Sequence, residues 1–336
     1  MSTSDADKLK LKELLNNALT LRNNIKTLNP SGQTYGQAVE KLKELSKESK
    51  SLSDQLSMEH GKALSTEFYA FAQFCELAGK PEATEIETYE TQLQELNEAR
   101  NSARALGDKA LDGRILELLT NIFSRTGQYD AEIEVIAKAC QFDKTVPKTM
   151  ALLNAYFKKL DYIYQDRDRI YSIQKDDSDA YMKLHINAWE QYLWLKQQPQ
   201  FPRDNFIRMQ KAPLFKLAIY VGSLSNPLIS AKDNEVVDIA MEAFDEAFYI
   251  SDLVNDKEYH CAAVAHKTSM LYRTLSAEQR EALLESLKKT EAEFKPINSE
   301  IRDLINSIEN KAPSLHPEMK ENDPKEGEEA TATSTD

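Results

Sequence analysis

The sequence predicts an all-α fold: a right-handed stack of antiparallel helix pairs, or α-solenoid, preceded by an N-terminal helical hairpin. Three observations carry the all-α class. Glycine is scarce, with nine in 336 residues, too few for many strands joined by tight turns. Leu, Lys, Glu, Ala and Gln dominate the composition, as they do in helical proteins. Apolar residues recur at spacings of three and four through most of the chain, the period of a helix with one buried face. About a dozen helices are expected on this basis.

The first helix follows a polar leader at residues 1–6. Leu11, Leu14, Ala18, Leu21, Ile25 and Leu28 form a heptad seam. Asn29-Pro30-Ser31-Gly32 ends it with residues that terminate helices and form turns. A second seam runs through Ala38, Leu42, Leu45, Ser49, Leu52 and Leu56. Residues 1–60 thus form an antiparallel hairpin, and the heptads also offer a route to an oligomer with a second chain.

The pattern changes near Gly61. Phe68, Tyr69, Phe71, Phe74 and Leu77 predict a buried helix that ends at Gly79-Lys80. Pro81 falls where the next helix should start, since a first-turn residue needs no N–H donor. Ile86, Tyr89, Leu93, Leu96, Ala103 and Leu106 carry that helix to Gly107.

Leu116, Leu119 and Phe123 lie on one helical face, Gly127 interrupts, and Tyr129, Ile133, Ile136, Ala139 and Phe142 resume. The glycine turn, the Tyr129-Asp130 pair and Ala139 resemble a tetratricopeptide repeat. A degenerate second copy follows: Leu153 and Phe157 fall 34 residues after Leu119 and Phe123. In that copy Asp161 replaces the turn glycine and Ile163 the tyrosine. The resemblance covers residues from about 113 to 173. It implies tetratricopeptide-like stacking and a concave face that grips a partner polypeptide. Some members clamp a C-terminal carboxylate. Asn121 occupies one such position, but Glu117 stands where lysine is expected, so the clamp does not carry over.

Further along, Gln174 to Asp179 forms an acidic turn before a helix holding Trp189, Tyr192 and Trp194. Pro199 and Pro202 end it. After Pro213, LFKLAIYVGSL is apolar nearly all round, the mark of a helix central to a core. A loop at Asn226-Pro227 leads to helices at Glu235–Asp252 and Asp256–Leu275, where alanines permit close approach. A capping box opens the last helix at Ser276, and Pro296 breaks or kinks it. The expected division is therefore a hairpin at 1–60, a helical-repeat domain at 61–311 and an acidic, disordered tail at 312–336.

The net charge of −13 argues against a general role on nucleic acid or anionic membrane. No apolar run is long enough to span a bilayer, so no membrane insertion is expected. Three scattered cysteines and no hydrophobic leader point to the cytoplasm. Asp176-Asp177-Ser178-Asp179 reads as a solvated turn rather than a metal motif. His260, Cys261 and His266 lack the spacing of a zinc site. No phosphate-binding glycine loop occurs, and no metal or cofactor is expected. Arg203, Arg208 and Lys211 with Phe201 and Phe206 read as a loop pinned by aromatics.

These readings converge on a protein-protein interaction scaffold or adaptor whose concave groove holds a partner peptide or helix. Asn121, Arg125, Asn154, Lys158, Trp189 and Tyr192 are the candidate partner-binding residues. The alternative is an all-helical enzyme or small-molecule binder with an aromatic pocket near Trp189 and Trp194. A helical protein directed at a host cell is compatible with the composition.

Overall fold

The computed structural model describes residues 3–165, 178–224, 234–271 and 277–293, with Arg302, Ile305 and Asn306. Among these residues the chain is all-helical, without strands, and has thirteen α-helices. No helix among them is long and apolar enough to cross a membrane. Two compact units divide at Phe201 and Pro202.

The first unit contains α1 (Thr3–Ile25), α2 (Gln33–Gln55), α3 (Glu59–Glu76), α4 (Glu90–Ala105), α5 (Lys109–Arg125), α6 (Tyr129–Phe142), α7 (Val146–Tyr164) and α8 (Ser178–Lys196). Each helix packs on its neighbour in sequence; α1 also meets α3, and α3 meets α5. The core runs without a break from Ala18 to Ile122, so the N-terminal hairpin shares it with the following helices. The seam of α1 is consumed inside the chain: Leu11, Leu14, Ala18 and Ile25 are all buried.

Four helix ends reverse the chain in the same way. Ser57, Gly107, Gly127 and Asn255 each adopt a positive φ, between 52° and 69°. The N–H of the next residue reaches back five positions, as in Gln128 to Phe123 O at 2.9 Å and Met58 to Ser53 O at 2.8 Å. This is the Schellman closure, which satisfies carbonyls that the helix leaves open. Glycine adopts it without strain; Ser57 and Asn255 do so at some steric cost.

Three expectations need correction. Of the predicted α2 seam only Leu42 and Ser49 are buried; Val39, Ser46 and Ser53 complete the buried face, while Leu45, Leu52 and Leu56 are only partly buried. Small side chains let α3 come close. A Cβ on Gly61 would stand 2.4 Å from Ser53 Oγ, and the hydroxyls of Ser49 and Ser65 meet at 2.7 Å. Pro81 opens a 3-10 turn (Pro81–Thr84), not α4. A second such turn, Ile86–Tyr89, follows. The buried Tyr89 hydroxyl donates to Ala83 O at 3.1 Å and folds the segment around itself. Finally, α7 continues through Asp161 to Tyr164, where the repeat-like copy called for a turn. Asp161 lacks the free access to the left-handed region that glycine has, and Ile163 still has a core to enter at 2% exposure.

The second unit contains α9 (Arg203–Met209), α10 (Lys211–Leu224), α11 (Asn234–Val254), α12 (Lys257–Leu271) and α13 (Ala277–Glu293). Helix α10 buries Leu214, Phe215, Leu217, Ala218 and Val221 and packs against α11 and α12. Ala240, Ala243 and Ala247 are fully buried on α11. Phe244 fits against Gly222, where a Cβ would lie 2.8 Å from two ring carbons. Phe215 stacks on Tyr259 with centroids 4.1 Å apart. The acidic turn, the Asn226-Pro227 loop, the Ser276 capping box, Pro296 and the tail at 312–336 lie outside the described residues, apart from the helix start at Ser178.

Candidate functional site

A cleft in the first unit opens where α4 ends and α5 begins. It measures about 440 Å³ and has a floor of Ala103, Gly107, Gly113, Leu116 and Ala139. Local sequence explains the opening. Gly107 takes φ +69° and turns the chain sharply, and the exposed Gly113 puts no side chain on the α5 wall of the cleft; a Cβ there would meet nothing within 4 Å. The rim alternates in sign: Arg104, Lys109 and Lys148 face Asp108, Asp112 and Asp143.

Most of that rim is fixed. Asp112 Oδ1 accepts from Arg100 Nε at 2.9 Å and Arg104 Nε at 3.1 Å. Lys148 Nζ donates to Asp143 Oδ2 at 3.0 Å. Asp108 caps α5 by accepting the Leu111 N–H at 2.9 Å, and its other oxygen meets His60 Nε2 at 2.7 Å. Burial alone would raise the Asp108 carboxyl; the Leu111 N–H and His60 outweigh it and hold it below its usual range.

A smaller cleft of about 170 Å³ opens on the other flank of α4. Helix α3 lines it with Glu59, Lys62, Ala63 and Thr66. Helix α5 lines the larger cleft with Lys109, Asp112, Gly113 and Leu116, each fifty residues further along. Consecutive odd-numbered helices therefore place the same turns under consecutive openings, and α4 is a wall of both.

The six candidate residues do not gather at these clefts. Asn121 is exposed on the C-terminal half of α5. Lys158 reaches Ser124 Oγ at 2.8 Å and the buried Glu132 Oε1 at 2.7 Å, tying α7 to α5 and α6. Asn154, one turn earlier, is half-buried with its Oδ1 enclosed and unbonded. Arg125 lies 3.5 Å over the Phe74 ring and donates to Phe74 O at 2.9 Å and Tyr89 Oη at 3.3 Å. It pins the α3–α4 connection and is not free to meet a partner. Trp189 and Tyr192 are buried, 5.5 Å apart between centroids, and Tyr192 packs against Phe201. The aromatic faces invoked for a small-molecule pocket thus pack into the core, while Lys144 lies 4.7 Å from the Trp194 ring.

Other motifs resolve into contacts. Arg203 Nη2 meets both Glu246 oxygens at 2.8 Å, and Tyr249 Oη donates to Asp204 at 2.8 Å. Cys75 and Cys140 are buried, and burial pushes both thiols up, keeping them protonated. Among the described residues no three His, Cys, Asp or Glu side chains converge as a metal site would require. Sequence reasoning passed over the two clefts. The one available signal was Gly113, a glycine inside a helical pattern.

No protein family, no curated protein and no solved structure matches the chain.

Proposed function

We propose that this chain is a protein-protein interaction scaffold, a tetratricopeptide-like stack of helix pairs that takes a segment of a partner polypeptide. The observation that carries the reading is the 440 Å³ cleft with its small-residue floor and charge-balanced rim. Its floor offers apolar area to an incoming side chain, and its rim offers polar partners around the edge, the anatomy of a small interface core. The common register of the two clefts supports a stack built from repeated units. The acidic balance of the chain supports a protein partner over a nucleic acid.

The test is a photo-crosslinker placed at Lys109 in the full chain, with adducts identified from cell extract. A discrete protein adduct that disappears in Gly113→Leu, which fills the cleft, supports the reading. An adduct indifferent to Gly113→Leu, or turnover of a metabolite that Gly113→Leu abolishes, overturns it.

A further inference from the structure

We infer that the two clefts flanking α4 are paired subsites for one extended peptide segment, with a basic side chain in the smaller and an aliphatic side chain in the larger. The inference rests on the partner-binding reading above and names the partner's chemistry.

Charge assigns the smaller cleft. Its walls carry three carboxylates, Glu59, Glu95 and Glu98, against two ammonium groups, Lys50 and Lys62. Lys50 Nζ bonds Glu95 at 3.1 Å, and Lys62 is drawn toward Asp54 at 3.7 Å, a residue outside the cleft. Glu98 accepts only a neutral amide, from Gln94 at 3.3 Å. Negative charge is left over at Glu59 and Glu98. A Lys or Arg side chain complements it, and the acidic chain as a whole steers such a segment inward.

The larger cleft has no such imbalance. Three cations face three carboxylates, and Asp112 and Asp143 are already paired with cations of the same rim. What remains on offer is the floor of Gly107, Gly113, Ala103, Ala139 and Leu116, which suits an aliphatic side chain. The formal charges of the rim already balance, so a charged occupant gains less there than an aliphatic one and loses hydration.

Geometry sets the spacing. The openings lie on the two flanks of α4, so their centres are separated by roughly one helix-packing distance, about 10 Å. An extended chain advances about 3.3 Å per residue. The basic and aliphatic residues should therefore be about three positions apart.

The experiment pans a phage-displayed random peptide library on the full chain. Enriched peptides are then titrated, as fluorescein conjugates, by fluorescence anisotropy. The expected result is enrichment of Lys or Arg three positions from Leu, Ile or Met. Affinity should fall tenfold or more in Glu98→Lys and in Gly113→Leu, and also when one residue is inserted between the two anchors. Circular dichroism checks that both variants are folded; Glu98 is a surface residue, so its variant stands if Gly113→Leu does not. Peptides without a basic residue, or binding unaffected by either variant, overturn the inference. If binding falls instead in Lys158→Ala or Asn121→Ala, the scaffold reading survives on another face and the paired clefts do not. If no peptide is enriched, both fall.

Discussion

Arg22 and Glu67, forty-five positions apart, meet at 2.6 Å with both side chains inside the core. The Arg22 guanidinium also lies 4.5 Å over the Phe71 ring, and Arg114 approaches the other Glu67 oxygen at 3.5 Å. One carboxylate thus holds α1, α3 and α5 in register through two arginines. Glu117 adds a second tie between α1 and α5, meeting Lys26 Nζ at 2.8 Å and Arg22 Nη2 at 3.9 Å.

Removing one partner leaves the other charged and enclosed. Glu67→Gln should lower the unfolding free energy by about 3–5 kcal/mol. The double variant Arg22→Met, Glu67→Gln should recover part of that loss, because the stranded guanidinium goes with it. Urea denaturation of the three variants forms a double-mutant cycle; strictly additive losses would show that the two residues do not act as a pair.

Two glycines should answer alanine with opposite signs. Gly113 lies in a helix with open space beyond its Cα, so Gly113→Ala should stabilise by about 1 kcal/mol through helix propensity. Gly222 lies against Phe244, so Gly222→Ala should destabilise by about 1–3 kcal/mol through overpacking. Chemical denaturation measures both. A neutral Gly222→Ala would mean that the Phe244 ring shifts freely.

His185 should set an acid limit on the fold. It is fully buried; its Nδ1–H donates to Tyr181 O at 2.8 Å, and Nε2 accepts from Tyr164 Oη at 2.5 Å. Burial pushes the imidazole down to about 4, against the partial offset of the Tyr181 carbonyl. The unfolded chain binds the proton near pH 6.5, the folded chain only near 4. Its contribution is therefore complete above pH 6.5 and lost as pH falls toward 4, by about 3 kcal/mol in total. Stability measured from pH 7 to pH 4 should drop less steeply in His185→Gln. An unchanged slope would place the imidazole in contact with solvent.

Much of the helical pattern could be read from spacing alone. The α1 seam, the Gly127 turn and the all-round apolar α10 follow from periodicity and from a residue with left-handed freedom. Several misreadings share a cause: the decisive partner lies in another helix. Ser46 and Ser53 fall outside the predicted seam, yet both are buried, Ser53 against Gly61 of α3. Ser57 has no mark of a left-handed residue, yet it makes the same closure as Gly107. Arg125 looked available for binding, but Phe74 and Tyr89 arrive from two other segments to occupy it. The larger cleft draws on four helices, and only Gly113 hints at it along the chain.

Among the described residues, the core from α1 to α5 takes no buried residue beyond Ile122, and the farthest side chain resting on it is Val135. Synthesis runs from the N-terminus, so this portion has all its described interior partners in hand once α6 has left the ribosome. Protease resistance should then appear in nascent chains stalled well short of α8, and the later helices would join a platform that is already closed.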